Sequence, residues 1–214
     1  METDRNYPLN FSEIEDLFIK DPKEICKLLI QSKSIILYDT NCFGFHAKKS
    51  NEKYYALDFF NKDDVVIFLE PIIREMNYKD TKEIQSWYLE YFRELKNKVK
   101  ALIYIDERDY MDLLKIGKPS LNNIAIRVKN EFLNAFKDNV ELRSEIKKLN
   151  ISGENFCMDL IDIANGEGNE KKRGEIALFI SVQILFPTTE NEDSKDDIPP
   201  QLLKFDKTVR VIPK

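Results

Sequence analysis

Apolar positions recur along the chain with two different periods, and the alternation between them predicts the architecture. The segment FSEIEDLFIK, capped by Ser12, and the segment PKEICKLLIQS, with Asp21 before Pro22 and Glu24 three residues on, predict two short N-terminal helices within residues 1–33. In the second, Ile25, Leu28 and Leu29 fall on one helical face. Residues 34–38, SIILY, then form a continuous apolar run ending at Asp39, the pattern of a strand buried on both faces of a parallel sheet. Residues 54–61 predict a helix, VVIFL at 65–69 a second buried strand, and Pro71 the start of a further helix with Ile72, Ile73 and Met76 turned to the core. Strand, helix, strand, helix is a βαβ pattern, which implies parallel pairing with right-handed crossovers.

A long charged helix is expected over residues 79–100, with Ile84, Trp87, Tyr88, Tyr91, Phe92 and Leu95 spaced at threes and fours. Residues 101–105 read as a strand or as the continuation of that helix. Two helices are expected over 122–149 and another over 154–164, followed by a loop at 165–170. Periodicity alone does not assign the apolar run 176–186. Residues 191–200 are expected to be an exposed loop, and TVRVI at 208–212 a final strand. The chain is read as a single domain, 1–214.

Composition narrows what such a fold can do. The 214 residues include only six glycines, too few for an all-β sandwich. No apolar stretch is long enough to span a bilayer, and METDRNYPLN lacks the pattern of a secretory signal, so no membrane association and a cytoplasmic location are expected. Three well-separated cysteines, Cys26, Cys42 and Cys157, read as reduced core thiols. The single histidine, His46, excludes zinc sites built on two histidines, and no nucleophile-elbow motif accompanies it. It is read as a surface or helix-packing residue. A formal net charge of −5 argues against a passive nucleic-acid coat and is neutral for an enzyme that clusters acids around metal ions.

Dinucleotide and P-loop chemistry fail for want of glycine motifs. The first buried strand runs instead into Asp39-Thr40-Asn41, and ligands of open parallel sheets bind outside the carboxyl ends of strands. The string ILYDTN at 36–41 resembles the opening strand of PIN-domain nucleases. The second strand, with a helix carrying Arg74-Glu75 after it, is similar to that family's second element. The likeness extends over 34–78 and 170–214; residues 79–169 would be a large helical insertion.

The resemblance implies a three-layer α/β/α fold around a central parallel sheet and a metal-dependent endoribonuclease activity. Carried over by position, it implies a metal cluster of Asp39, Glu75, Glu175 (from GEIAL at 174–178) and Asp193, with Glu190 as rival for the fourth acid. Asn41 would orient Asp39 or a metal-bound water. Mg²⁺ or Mn²⁺ suits such oxygen ligands, neutralises converging carboxylates and activates water against a phosphodiester. RNA is the expected partner, with DNA, an inhibitory protein and self-association left open. Lys171, Lys172 and Arg173 are candidate phosphate contacts, as are Arg93, Lys96, Lys98 and Lys100. The aromatic group on 87–92 reads as core, with base stacking as its functional alternative.

Competing readings stand beside this one. Asp39 would also serve as an N-cap and Glu175 as a first-turn acid on a helix dipole. A PIN-like fold without catalysis, acting as an interaction module or complex subunit, is the principal alternative. An unrelated α/β phosphatase or nucleotide-binding protein is the third.

Overall fold

The computed structural model describes residues 7–32, 34–48, 56–76, 81–116, 121–166, 173–185 and 208–212. Two compact units emerge, one of residues 1–105 with 206–214, the other of residues 106–205.

The first unit is built on a five-stranded sheet: β1 (Phe18–Ile19), β2 (Ser34–Tyr38), β3 (Asp64–Leu69), β4 (Ala101–Ile105) and β5 (Thr208–Ile212). The spatial order is β1-β4-β3-β2-β5, and every pairing is parallel. Ser34 sits opposite both Asp64 and Thr208, and Leu69 opposite Ile105. The apolar runs that predicted strands do so because β3 and β4 are buried along their whole length and β2 from Ile35 on, which is what a sheet covered on both faces requires. The run at 101–105, which periodicity left between helix and strand, is β4. The chain is thus an α/β protein with a parallel sheet flanked by helices.

Helices α1 (Pro22–Gln31), α2 (Thr40–Lys48), α3 (Glu70–Glu75) and α4 (Ser86–Lys98) belong to this unit. Asp21 caps α1 by accepting the Glu24 amide at 2.9 Å, and Pro22 supplies the preset first position. Tyr38, Phe43, Phe68 and Phe92 form a buried aromatic cluster between the sheet and helices α2 and α4, with Phe43 and Phe92 rings 4.6 Å apart. Such offset and edge contacts add to the area the rings bury.

Two expectations need correction. The helix expected over 12–20 is instead a pair of short 3₁₀ turns (Phe11–Glu13 and Glu15–Leu17) leading into the edge strand β1. The spacing of Phe11, Ile14 and Leu17 is three, which fits the eclipsed rows of a 3₁₀ turn better than the 3.6 of an α-helix. Phe18 and Ile19 then gain more by pairing with Leu102 and Ile103 than by continuing a turn. The long helix expected from residue 79 begins only at Ser86. Residues before it are held away from helix by Asn10, whose amide donates to the Ile84 carbonyl at 2.9 Å and accepts the Ile84 N–H at 2.7 Å. Tertiary hydrogen bonds satisfy that backbone, so helix formation has nothing to add there.

The second unit contains α5 (Tyr110–Ile116), α6 (Leu121–Ala135), α7 (Val140–Lys148), α8 (Phe156–Asn165) and α9 (Arg173–Leu185). The unassigned run 176–186 is therefore helix for its described part. Phe132, Ile146, Phe156, Leu160, Ile161 and Ile180 make its core. The described part of the expected loop at 165–170 begins as α8 ends at Gly166, whose φ of 72° and hydrogen bond to the Asp162 carbonyl form a left-handed cap suited to glycine. The expected loop at 191–200 lies outside the described residues.

Candidate functional site at the strand ends

Helix α2 starts directly where β2 ends, so Asp39 both closes the strand and opens the cap of the helix. Its Oδ2 accepts the Asn41 amide at 3.1 Å, and its carbonyl accepts the Phe43 N–H at 2.9 Å. The capping role that competed with metal binding is thus real. It uses one carboxylate oxygen, and the two roles are compatible.

The next residue makes the longer connection. Thr40 is buried, and its hydroxyl donates to Glu75 Oε2 at 2.5 Å, with the Ile72 carbonyl at 3.5 Å. The end of α3 is thereby tied to the start of α2, across 35 residues of sequence. Glu75 is thus bonded to the residue that follows Asp39 in the chain, the threonine between Asp39 and Asn41. Thr40 has no role assigned from sequence, although it is the middle residue of the motif.

An open cavity of about 780 Å³ lies there, lined among others by Thr40, Asn41, Gly44, Glu75, Trp87 and Tyr88. Trp87 and Tyr88, at the first turn of α4, face this cavity half-buried, whereas Tyr91 and Phe92 are fully buried in the core. The aromatic group that spacing read as core is split into two pairs with different surroundings. Burial, together with the charge of Glu75, pushes the Tyr88 hydroxyl up to about 12. It therefore stays protonated through the neutral range.

Two other side chains of α2, and the absence of one at Gly44, complete the surroundings. His46 Nδ1 lies 2.5 Å from the Tyr38 hydroxyl, which is 3.2 Å from that of Tyr91. His46, read from the sequence as a surface or helix-packing residue, is half-buried and bonded to a strand tyrosine. Cys42 Sγ is 3.9 Å from His46 Nε2, superficially a thiol–imidazole pair. Burial and then the charge of Asp39 raise the Cys42 pKa, the opposite of what a thiolate nucleophile needs. Gly44 is constrained from the other direction: a Cβ there would stand 2.6 Å from the Tyr88 hydroxyl.

The remaining candidates belong to other parts of the chain. Glu175 is in the first turn of α9, in the second unit, and its side chain lies outside the described residues, as do Asp193, Glu190, Lys171 and Lys172. Among the described residues, no three His, Cys, Asp or Glu side chains are grouped to hold a metal ion. Arg173, a candidate phosphate contact, is engaged with two acids of its own unit. Its Nε and Nη2 donate to the two oxygens of Glu107 at 2.8 and 2.6 Å, and Nη1 to Asp162 at 2.5 Å. Burial opposes its charge, but Glu107 first and Asp162 second more than reverse this, so its pKa is raised. Arg93 faces Glu13 at 3.7 Å and Lys98 faces Asp58 at 3.8 Å, the pattern of a solvated surface.

Among the described residues, no helix is long and apolar enough to cross a membrane. Fold and site together define a parallel α/β protein with a cleft lined by Glu75 and by the aromatic side chains of Phe45, Trp87 and Tyr88. Comparison with family models, curated proteins and solved structures finds no match.

Proposed function

We propose that the chain is a PIN-like, metal-dependent endoribonuclease acting at this cleft. The observation that carries the reading is the hydrogen bond from Thr40 to Glu75, which joins the acid-bearing end of α3 to the residue after Asp39 at the wall of a substrate-sized cavity. Carboxylate oxygens are the hard donors that Mg²⁺ or Mn²⁺ prefers, and one or two protein carboxylates plus phosphate and water complete many such sites. Asp39 and Glu75 would hold the ion. Glu175 and Asp193, or Glu190 in its place, are further ligands proposed from the family resemblance alone. When bound, the ion would supply an activated water and offset charge developing on the phosphodiester. Thr40 positions Glu75, and Asn41, whose backbone N–H donates to Asp39 Oδ2, orients the first acid.

Asp39→Asn provides the test, because asparagine caps a helix as well as aspartate does and removes only the charge. Cleavage of unstructured RNA in Mn²⁺ is expected to vanish in Asp39→Asn and Glu75→Gln, with the thermal midpoint of Asp39→Asn unchanged in chelator. Undiminished cleavage by Asp39→Asn, or by wild type in excess chelator, would falsify the proposal.

A second reading, an interaction module without catalysis, is favoured by one specific observation. Both described acids already have roles that need no ion: Asp39 accepts a helix amide and Glu75 a hydroxyl. That reading predicts no rise in thermal midpoint on adding Mn²⁺ and no cleavage.

A further inference from the structure

The Phe43, Tyr88 and Trp87 rings form a ladder that climbs from the core to the cleft. Phe43 is fully buried on α2. Tyr88 lies parallel to it, with centroids 5.5 Å apart and planes 3° off parallel. Trp87 comes next at 3.8 Å from Tyr88, tilted by 31°. The ladder is locked at three points. Gly44 leaves room for the Tyr88 hydroxyl, Phe92 packs on Phe43 at 4.6 Å, and the Trp87 indole N–H donates to Gln85 Oε1 at 2.5 Å. Only the last two rungs line the cavity, together with Asn41, Lys48 and the half-exposed Phe45 among others.

The stack does not end inside the core. It ends on the largest aromatic side chain, held by its edge, at the wall of the cavity that also holds Thr40 and Glu75. The next member that such a ladder takes is a flat π system. Lys48 and the Asn41 amide line the same cavity and suit a phosphate and a base edge, respectively. Stacking on aromatic faces is the means by which unpaired bases are held without sequence readout, and paired bases in a duplex have no free face to offer.

We infer that the cleft takes an unpaired nucleobase of a single-stranded nucleic acid, stacked against Trp87. This deepens the nuclease reading and rests on it for the role of the adjoining acids. The base-stacking step itself needs no metal.

Trp87 is the only tryptophan of the chain, so its fluorescence reports on this wall alone. The wild-type protein in EDTA is titrated with a single-stranded RNA hexamer, the corresponding duplex, and the mononucleotide AMP. Quenching by the hexamer at lower concentration than by AMP, with none by the duplex, is expected. In parallel, the polarisation of a fluorescein-labelled hexamer is measured with Trp87→Ala and Trp87→Phe. Alanine is expected to weaken binding by about tenfold to a hundredfold, and phenylalanine by only about threefold. Hexamer binding without tryptophan quenching overturns the inference, as does equal quenching by the duplex, equal affinity for AMP, or Trp87→Ala binding like wild type. Metal-dependent cleavage with no tryptophan response would refute this stacking site and leave the nuclease reading standing. Quenching without any cleavage would support the stacking site and count against the nuclease.

Discussion

Replacing Arg173 separates two accounts of the basic segment before α9. The guanidinium makes a two-pronged contact with Glu107, whose side chain is 0% exposed, and a third contact with Asp162, which is 58% exposed. Arg173 itself is only 12% exposed. Deleting one partner of a buried ion pair leaves an uncompensated charge, a loss of about 3–5 kcal/mol, while the exposed Asp162 arm contributes about 1 kcal/mol or less. Glu107 has other contacts, which places the expected cost of Arg173→Ala near the lower end, about 3 kcal/mol. Against a typical total of about 5–15 kcal/mol this is a large fraction. Urea denaturation monitored by far-ultraviolet circular dichroism reads it directly, with Asp162→Asn as the control expected to cost about 1 kcal/mol or less. Arg173→Lys should recover part of the loss, since an ammonium keeps the charge but not the fork. If Arg173→Ala denatures within about 0.5 kcal/mol of wild type, the buried-pair reasoning is wrong and a solvent-facing role for Arg173 returns.

Thr40→Val keeps the shape of the side chain and removes the hydroxyl that Glu75 accepts. Because Glu75 is exposed, the stability cost should be only about 1 kcal/mol by urea denaturation, with Thr40→Ser close to wild type, whereas loss of cleavage should be far larger if Thr40 positions Glu75. Cys157 is fully buried and its thiol is pushed up to about 12 by burial, so dithionitrobenzoate should label it only on unfolding. Because the fold favours the neutral thiol, this contribution to stability is complete below the unfolded value of 9.0 and is lost as pH rises from there toward about 12. The thermal midpoint of wild type should therefore fall more steeply over that range than that of Cys157→Ala, and identical slopes would show that Cys157 is not what titrates.

Strands β2 and β3 were legible because each is a short apolar run bounded by polar residues, with no other way to bury both sides, whereas β1 was hidden in a segment whose apolar spacing suggested helix. Asp39 was legible for a related reason, since a polar residue closing such a run must lie at the sheet's edge. The spacing of Trp87, Tyr88, Tyr91 and Phe92 is helical in sequence and in structure. It could not reveal that two of the four face a cavity, because a helix period reports which residues share a side and says nothing about what stands opposite. The start of α4 was misplaced because the determinant, Asn10, lies 74 residues away in sequence. Arg173 looked like one of three consecutive basic residues, and only the fold placed Glu107 and Asp162 against it.

Local chain chemistry, then, settled element type and strand-end position: apolar runs, proline at α1, aspartate caps and the glycine at 166 act through neighbours a few residues away. Tertiary structure decided what Glu75 bonds to, which basic residues are occupied and which aromatic rings line the cavity. Those outcomes depend on contacts between residues distant in sequence, such as Thr40 with Glu75 and Gly44 with Tyr88, whose energies exist only once the sheet has brought the helices together.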